Sequence, residues 1–185
     1  YKKIFIVTVL FFLTSSVKIY AEVVNKVVVY GNERISLETV VIFGDIKIGE
    51  NYEKSDINLL IKKLYDTSFF SNISIELADG LLNITLQENP IINTIVIEGE
   101  KAKKYVTLIK ELFTLREKNS FISNNIKSDI NILKEFYRNL GFYFVKIDVD
   151  VEKLDKNRVN LIYSLQKGEK AKIAKIYFLG DKKIR

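Results

Sequence analysis

The sequence predicts an α+β fold built from tandem β-α-α-β-β modules. Each module is a three-stranded mixed sheet covered on one face by two helices. Three observations carry this expectation: a strand that recurs and stops at glycine, a helix-to-strand block that also recurs, and apolar spacing that alternates between helical and strand periods.

The recurring strand is Lys26-Val-Val-Val-Tyr-Gly31, which lines up with Thr94-Ile-Val-Ile-Glu-Gly99 and with Lys175-Ile-Tyr-Phe-Leu-Gly180. The recurring block is Ile61-Lys-Lys-Leu-Tyr-Asp-Thr-Ser-Phe-Phe70, continuing to Ile75. It lines up 72 residues on with Leu133-Lys-Glu-Phe-Tyr-Arg-Asn-Leu-Gly-Phe142, continuing to Ile147. Two blocks repeating in the same order imply a duplicated unit of domain size.

Within the first unit, Ser36 is placed to cap a short helix from Leu37 to Phe43, with Gly44 ending it. Ile57, Leu60, Ile61 and Leu64 form one apolar helix face from Ser55, the expected cap, to Asp66. Ile73, Ile75 and Leu77 then alternate with Asn72, Ser74 and Glu76, as on a half-buried strand. Asp79-Gly80 supplies a tight turn, and Leu82, Ile84 and Leu86 continue the alternation.

The second unit repeats the plan. A strand from Ile92 to Ile97 is followed by a helix from Lys104 to Phe113. A second helix carries Ile126, Ile130, Leu133, Tyr137 and Leu140, and Gly141 closes it. Val145, Ile147, Val149 and Val151 are expected to face inward on the next strand, with Val159, Leu161, Tyr163 and Leu165 inward on the last. The only proline, Pro90, lacks an N–H for a central ladder and marks a boundary. The expected organisation is residues 22–90, residues 91–168, and the start of a third module over residues 169–185.

The first 21 residues differ from the rest. Lys2-Lys3 precedes an apolar run from Ile4 to Leu13, then come Thr14-Ser15-Ser16 and the small residue Ala21. That order of a basic segment, a short apolar segment and a small residue reads as a signal peptide over residues 1–21, cut between Ala21 and Glu22. An apolar run this short is about half of what a spanning helix needs.

Composition narrows the chemistry. The 185 residues contain no Cys and no His, which removes thiol nucleophiles, disulfides, Cys/His metal sites and imidazole acid–base catalysis. Lys2, Lys3 and Lys18 lie in the leader segment, leaving 26 basic against 23 acidic residues, a net of +3. That is too slight for the dense basic stripe of a nucleic-acid binder. Asp148, Asp150 and Glu152 share one strand face, but alternate strand residues stand about 7 Å apart, which suits a solvated face better than a Ca²⁺ site. No phosphate loop, nucleophile elbow or cofactor motif is present, so neither an enzyme nor a cofactor is expected.

In combination these blocks resemble the POTRA repeat of the BamA family of outer-membrane assembly proteins. The matching residues are Gly31-Asn32-Glu33-Arg34-Ile35-Ser36, Leu64-Tyr65-Asp66-Thr67-Ser68-Phe69-Phe70, Gln87-Glu88-Asn89-Pro90-Ile91-Ile92 and Tyr137-Arg-Asn-Leu-Gly141-Phe142. Ser68 stands where the family has Gly, and Glu100 where Asn follows Gly. The resemblance implies a periplasmic array ahead of an outer-membrane β-barrel beyond this chain. Its implied partners are unfolded outer-membrane protein clients, periplasmic chaperones and assembly-complex lipoproteins. TamA-like and two-partner secretion transporters, or a purely structural docking arm, are the related alternatives.

An open sheet edge pairs with an added strand through backbone groups, whatever that strand's sequence. The hairpin order puts the strand after the second helix at the edge. The expected acceptors are therefore Asn72, Ile73, Ser74, Ile75 and Glu76 in one unit. In the other they are Tyr143, Phe144, Val145, Lys146, Ile147 and Asp148. Among the aromatics, Phe69 and Tyr143 are expected to be exposed, and most of the others to be core.

Overall fold

The computed structural model describes residues 21–177. The proposed leader up to Tyr20 and the third glycine-ended strand from Phe178 onward lie outside the described residues. The chain divides into two units between Glu88 and Asn89.

In the first unit, β1 (Glu22–Val23) pairs antiparallel with β3 (Asn51–Tyr52), a small ribbon the sequence did not announce. The main sheet contains β2 (Lys26–Tyr30), β4 (Phe70–Ala78) and β5 (Leu81–Glu88) in the order β2-β5-β4. β5 is central, parallel to β2 and antiparallel to β4. The helices are α1 (Leu37–Gly44) and α2 (Lys54–Asp66). Their apolar faces meet the sheet through Val40, Leu60 and Leu64, against Val27, Ile73, Leu82, Ile84 and Leu86. Burying each such side chain contributes about 1.5–3 kcal/mol, and this burial holds a unit of such modest size together.

Helix ends follow local chemistry. The Ser36 side chain accepts the Thr39 N–H as expected. Ser55 is not the cap of α2. The helix begins a residue earlier, where the Asp56 carboxylate accepts the Glu53 N–H at 2.9 Å. Gly44 is the last residue of α1, and Asp45 takes the left-handed position at φ 52°. The Asp79-Gly80 turn has both φ values positive, 53° and 74°, as a two-residue hairpin requires.

The second unit repeats the topology with β6 (Ile91–Glu98), α3 (Lys103–Leu112), α4 (Asn125–Asn139), β7 (Lys146–Leu154) and β8 (Arg158–Gln166). The order is β6-β8-β7, with β8 parallel to β6 and antiparallel to β7. Ile92, Ile95, Ile109, Leu133, Tyr137, Leu161 and Tyr163 are its buried centre. Gly141 closes α4 at φ 90°.

Two matched glycines fix the correspondence between units. A Cβ on Gly31 would stand 2.1 Å from the Leu86 carbonyl oxygen, and one on Gly99 would stand 2.1 Å from that of Leu165. Leu86 pairs with Ile73, and Leu165 pairs with Ile147. Ile73 therefore corresponds to Ile147, not to Val145 as a constant 72-residue offset requires. At the helix ends the left-handed residues are Ser68 and Gly141, so Leu64 matches Tyr137 and Tyr65 matches Arg138. The burial agrees, because Leu64 and Tyr137 are both fully buried while Tyr65 and Arg138 are exposed. The offset grows through one extra residue between helix cap and strand.

Candidate strand-accepting edges

The topology leaves β4 and β7 at the outer side of their sheets, each hydrogen-bonded to one neighbour only. On β4, Asn72, Ser74 and Glu76 are exposed on the solvent face, whereas Ile73 is buried and Ile75 half-buried towards the core. On β7, Lys146 and Asp148 are exposed and Ile147 half-buried.

Three expected acceptors are corrected. Tyr143, Phe144 and Val145 precede β7, which begins at Lys146. Tyr143 is 60% and Phe144 82% exposed, so they present apolar surface at the mouth of the edge rather than backbone along it. Val151 is exposed, not inward. Phe69 is not the exposed aromatic expected. It stacks on Phe43 at 5.6 Å and stands edge-on to Phe70 at 6.5 Å. Tyr30 and Tyr65, by contrast, are exposed.

The direction of the backbone groups follows from one contact. The Ile73 N–H donates to the Tyr65 hydroxyl at 3.1 Å, so it points away from β5. Because antiparallel residues alternate sides, Ile75 and Leu77 turn their N–H and C=O outward too. Ile147 stands opposite Leu165 as Ile73 stands opposite Leu86, so Ile147, Val149 and Val151 are the outward set on β7. Among the described residues, no side chain or loop bonds the outer backbone of β7.

The far edge of the second sheet is covered from Pro90 to Ile95. Lys118 N–H donates to the Ile92 carbonyl at 2.7 Å, Ile92 N–H to Asn119 at 2.9 Å, and Phe121 N–H to Pro90 at 2.7 Å. Further along, the Glu117 carboxylate accepts the Ile95 N–H at 3.0 Å and the Lys110 ammonium at 2.8 Å. The Lys110 hydrogen bond, then the Ile95 N–H, holds the Glu117 carboxyl below its ordinary value.

Buried polar groups brace the loops behind these edges. Glu88 accepts the N–H groups of Glu33, Arg34 and Ile35 at 2.9–3.0 Å and pairs with Arg34 at 3.1 Å. In the second unit Glu100 accepts from Ala102 N–H, the Tyr137 hydroxyl and Lys167. Burial raises the Glu100 carboxyl, but these three donors outweigh it and the net shift is downward. Burial first, and then its bond to Glu100, pushes the Tyr137 hydroxyl well up. Asp129, fully buried, accepts Thr114 N–H, Thr114 hydroxyl, Leu115 N–H and Tyr163 hydroxyl.

Sequence reasoning missed the bracing by Asp129 and the contacts of Tyr65 and Glu117. Asp129 was visible in principle, because it lies on the same helix stripe as Leu133 and Tyr137. Tyr65 lies beside the apolar stripe of α2 rather than on it. No local pattern signals that Glu117 reaches the Ile95 N–H.

A family model described as "POTRA: Surface antigen variable number repeat" matches residues 90–168. The outer membrane protein assembly factor BamA of Neisseria meningitidis serogroup B is 32% identical over 160 residues, 85% of this chain and 20% of that protein. BamA of Neorickettsia risticii is 26% identical over 162 residues, 88% of this chain and 22% of that protein. The chain thus spans about a fifth of the length of the curated relatives it matches. The N-terminal domain of Omp85 from the cyanobacterium Thermosynechococcus elongatus shares the fold, with a TM-score of 0.52 at 14% identity over 78% of this chain and 63% of that one. The second unit thus matches a POTRA model, the first repeats its β-α-α-β-β plan, and the chain is similar over most of its length to BamA proteins.

Proposed function

We propose that this chain is the periplasmic POTRA arm of an outer-membrane β-barrel assembly factor. Its role is binding rather than catalysis. It receives unfolded outer-membrane proteins as added strands and offers docking surface to chaperones and assembly lipoproteins. Export through residues 1–21 with a cut before Glu22 belongs to the same reading, as does membrane contact through a barrel in the longer protein.

The observation that supports strand capture most is the unobstructed outer backbone of β7. An incoming strand finds the N–H and C=O of Ile147, Val149 and Val151 in register at the usual spacing of alternate residues. Backbone pairing is indifferent to client sequence, which suits a receptor for many barrels. The exposed rings of Tyr143 and Phe144 add apolar contact where the strand enters. The charges of Lys146, Asp148 and Asp150 guard the edge against self-pairing without occupying its hydrogen-bonding groups.

Proline at an outward position tests this reading. Val149→Pro removes an N–H that faces solvent and leaves the ladder to β8 intact. The expected outcome is retained folding with weakened capture of an unfolded barrel protein, read by pull-down against the unaltered chain. Undiminished capture with Val149→Pro and a matching Ile75→Pro would rule out both edges as the acceptors.

A further inference from the structure

The two outer edges are not equally open. On β4 the outward N–H of Ile73 is already taken by the Tyr65 hydroxyl, which reaches it from α2 at 3.1 Å. On β7 the matching N–H is that of Ile147, and the residue of α4 matched to Tyr65 is Arg138. A guanidinium carries donors only and cannot accept an N–H. No side chain replaces Tyr65 on β7 among the described residues.

We propose that Tyr65 is a specificity-determining plug on the first unit's edge. Its hydroxyl occupies the hydrogen bond an added strand needs at Ile73, so β4 accepts a strand only by displacing it, while β7 accepts one directly. This rests on the reading of β4 and β7 as strand acceptors and adds a ranking between them. The plug is a weak barrier by design of its position. Tyr65 is 41% exposed, so its ring swings into solvent without opening the core. A strand forming several backbone bonds along Ile73, Ile75 and Leu77 outcompetes one hydroxyl, whereas a brief contact with the end of a chain does not. The first edge therefore favours long extended segments, such as barrel strands of about ten alternating residues, over short or folded partners.

The sequence lacks cysteine, so one introduced thiol reports one edge at a time. Ser74→Cys marks β4 and Asp150→Cys marks β7, both on the solvent face. The probe is a synthetic peptide of about ten residues alternating Val or Phe with Thr or Gln, a barrel-strand pattern, carrying a thiol-reactive group. In the 185-residue chain, labelling at position 150 is expected to exceed labelling at 74. Tyr65→Phe keeps the ring and deletes the hydroxyl. It is expected to raise apparent peptide affinity at 74 by about fivefold, the worth of one net hydrogen bond, and leave 150 unchanged. Amide exchange at Ile73 in the peptide-free protein is expected to speed up in the same variant, independently of any binding.

Labelling at 150 with no response at 74 to Tyr65→Phe overturns the plug while leaving strand capture standing. No labelling at either position overturns both. Unchanged exchange at Ile73 also overturns the plug, because it means the hydroxyl protects nothing.

Discussion

The corner where the last strand of each unit meets the loop after its first strand is closed by the same pairing with the charges exchanged. In the first unit the strand end supplies the carboxylate, Glu88, and the loop supplies the cation, Arg34. In the second unit the strand end supplies the cation, Lys167, and the loop supplies the carboxylate, Glu100, at 3.0 Å. Counting from the matched Leu86 and Leu165, Glu88 and Lys167 occupy the same position. Counting from Gly31 and Gly99, Glu100 stands where Asn32 stands. What the fold demands at this corner is a buried acceptor for the loop N–H groups and a counter-charge. Which chain segment brings which is free to change. The apparent departure from the family pattern at Glu100 is thus one half of a compensated exchange.

The largest expected effect strikes the feature both corners share. Gly31→Ala or Gly99→Ala drives a Cβ into a carbonyl oxygen at a positive φ, and each is expected to cost its own unit about 3 kcal/mol. Urea unfolding followed by amide exchange assigns the loss to one unit. If both substitutions are tolerated, the matched glycines do not define the correspondence.

The next effect concerns the exchanged charges. Glu88→Ala leaves three loop N–H groups and Arg34 without their acceptor and is expected to cost about 2–3 kcal/mol. Glu88→Lys is expected to be at least as harmful, and adding Asn32→Glu should recover part of the loss by copying the second corner into the first. A double variant no better than the single one would show that the two corners are not interchangeable.

A smaller gain is expected at the helix caps. Ser68 holds φ 62° where the second unit uses glycine. Ser68→Gly relieves the left-handed strain and is expected to raise stability by about 1 kcal/mol, visible as a higher urea midpoint.

The smallest effect is in pH. The folded carboxyls of Glu100 and Glu117 titrate below the ordinary value of 4.5. Depressed carboxyls contribute stability that is complete above the unfolded value and lost as pH falls through the folded one. The second unit is therefore expected to weaken below pH 4.5, with a shallower slope in Glu100→Gln and Glu117→Gln. An unchanged slope in both variants would remove these pairs from the acid response.

Topology was legible in the sequence because strand alternation, the Asp79-Gly80 turn and the stripe Ile57, Leu60, Ile61 and Leu64 each act locally. The identity of the edge strands was also readable, since a hairpin following two helices leaves little choice. The register between repeats was not. Tyr65 and Tyr137 align by residue type, yet measured from the left-handed caps Ser68 and Gly141 they stand one helix position apart, and only burial against the sheet separates the two. The long-range acceptors were unreadable for a similar reason. Glu117 reaches Ile95, and Tyr65 reaches Ile73, across separations that periodicity does not encode. The start of β7 was set too early because Tyr143, Phe144 and Val145 carry strand-type side chains, while the backbone there follows the turn set by Gly141.

The most direct test of strand capture is amide exchange on the chain with and without an unfolded outer-membrane barrel protein. The account predicts new protection at Ile147, Val149 and Val151, with Ile92 and Ile95 on the covered stretch of β6 unchanged. Protection confined to the helices, or absent from β7 while the client is bound, would contradict it.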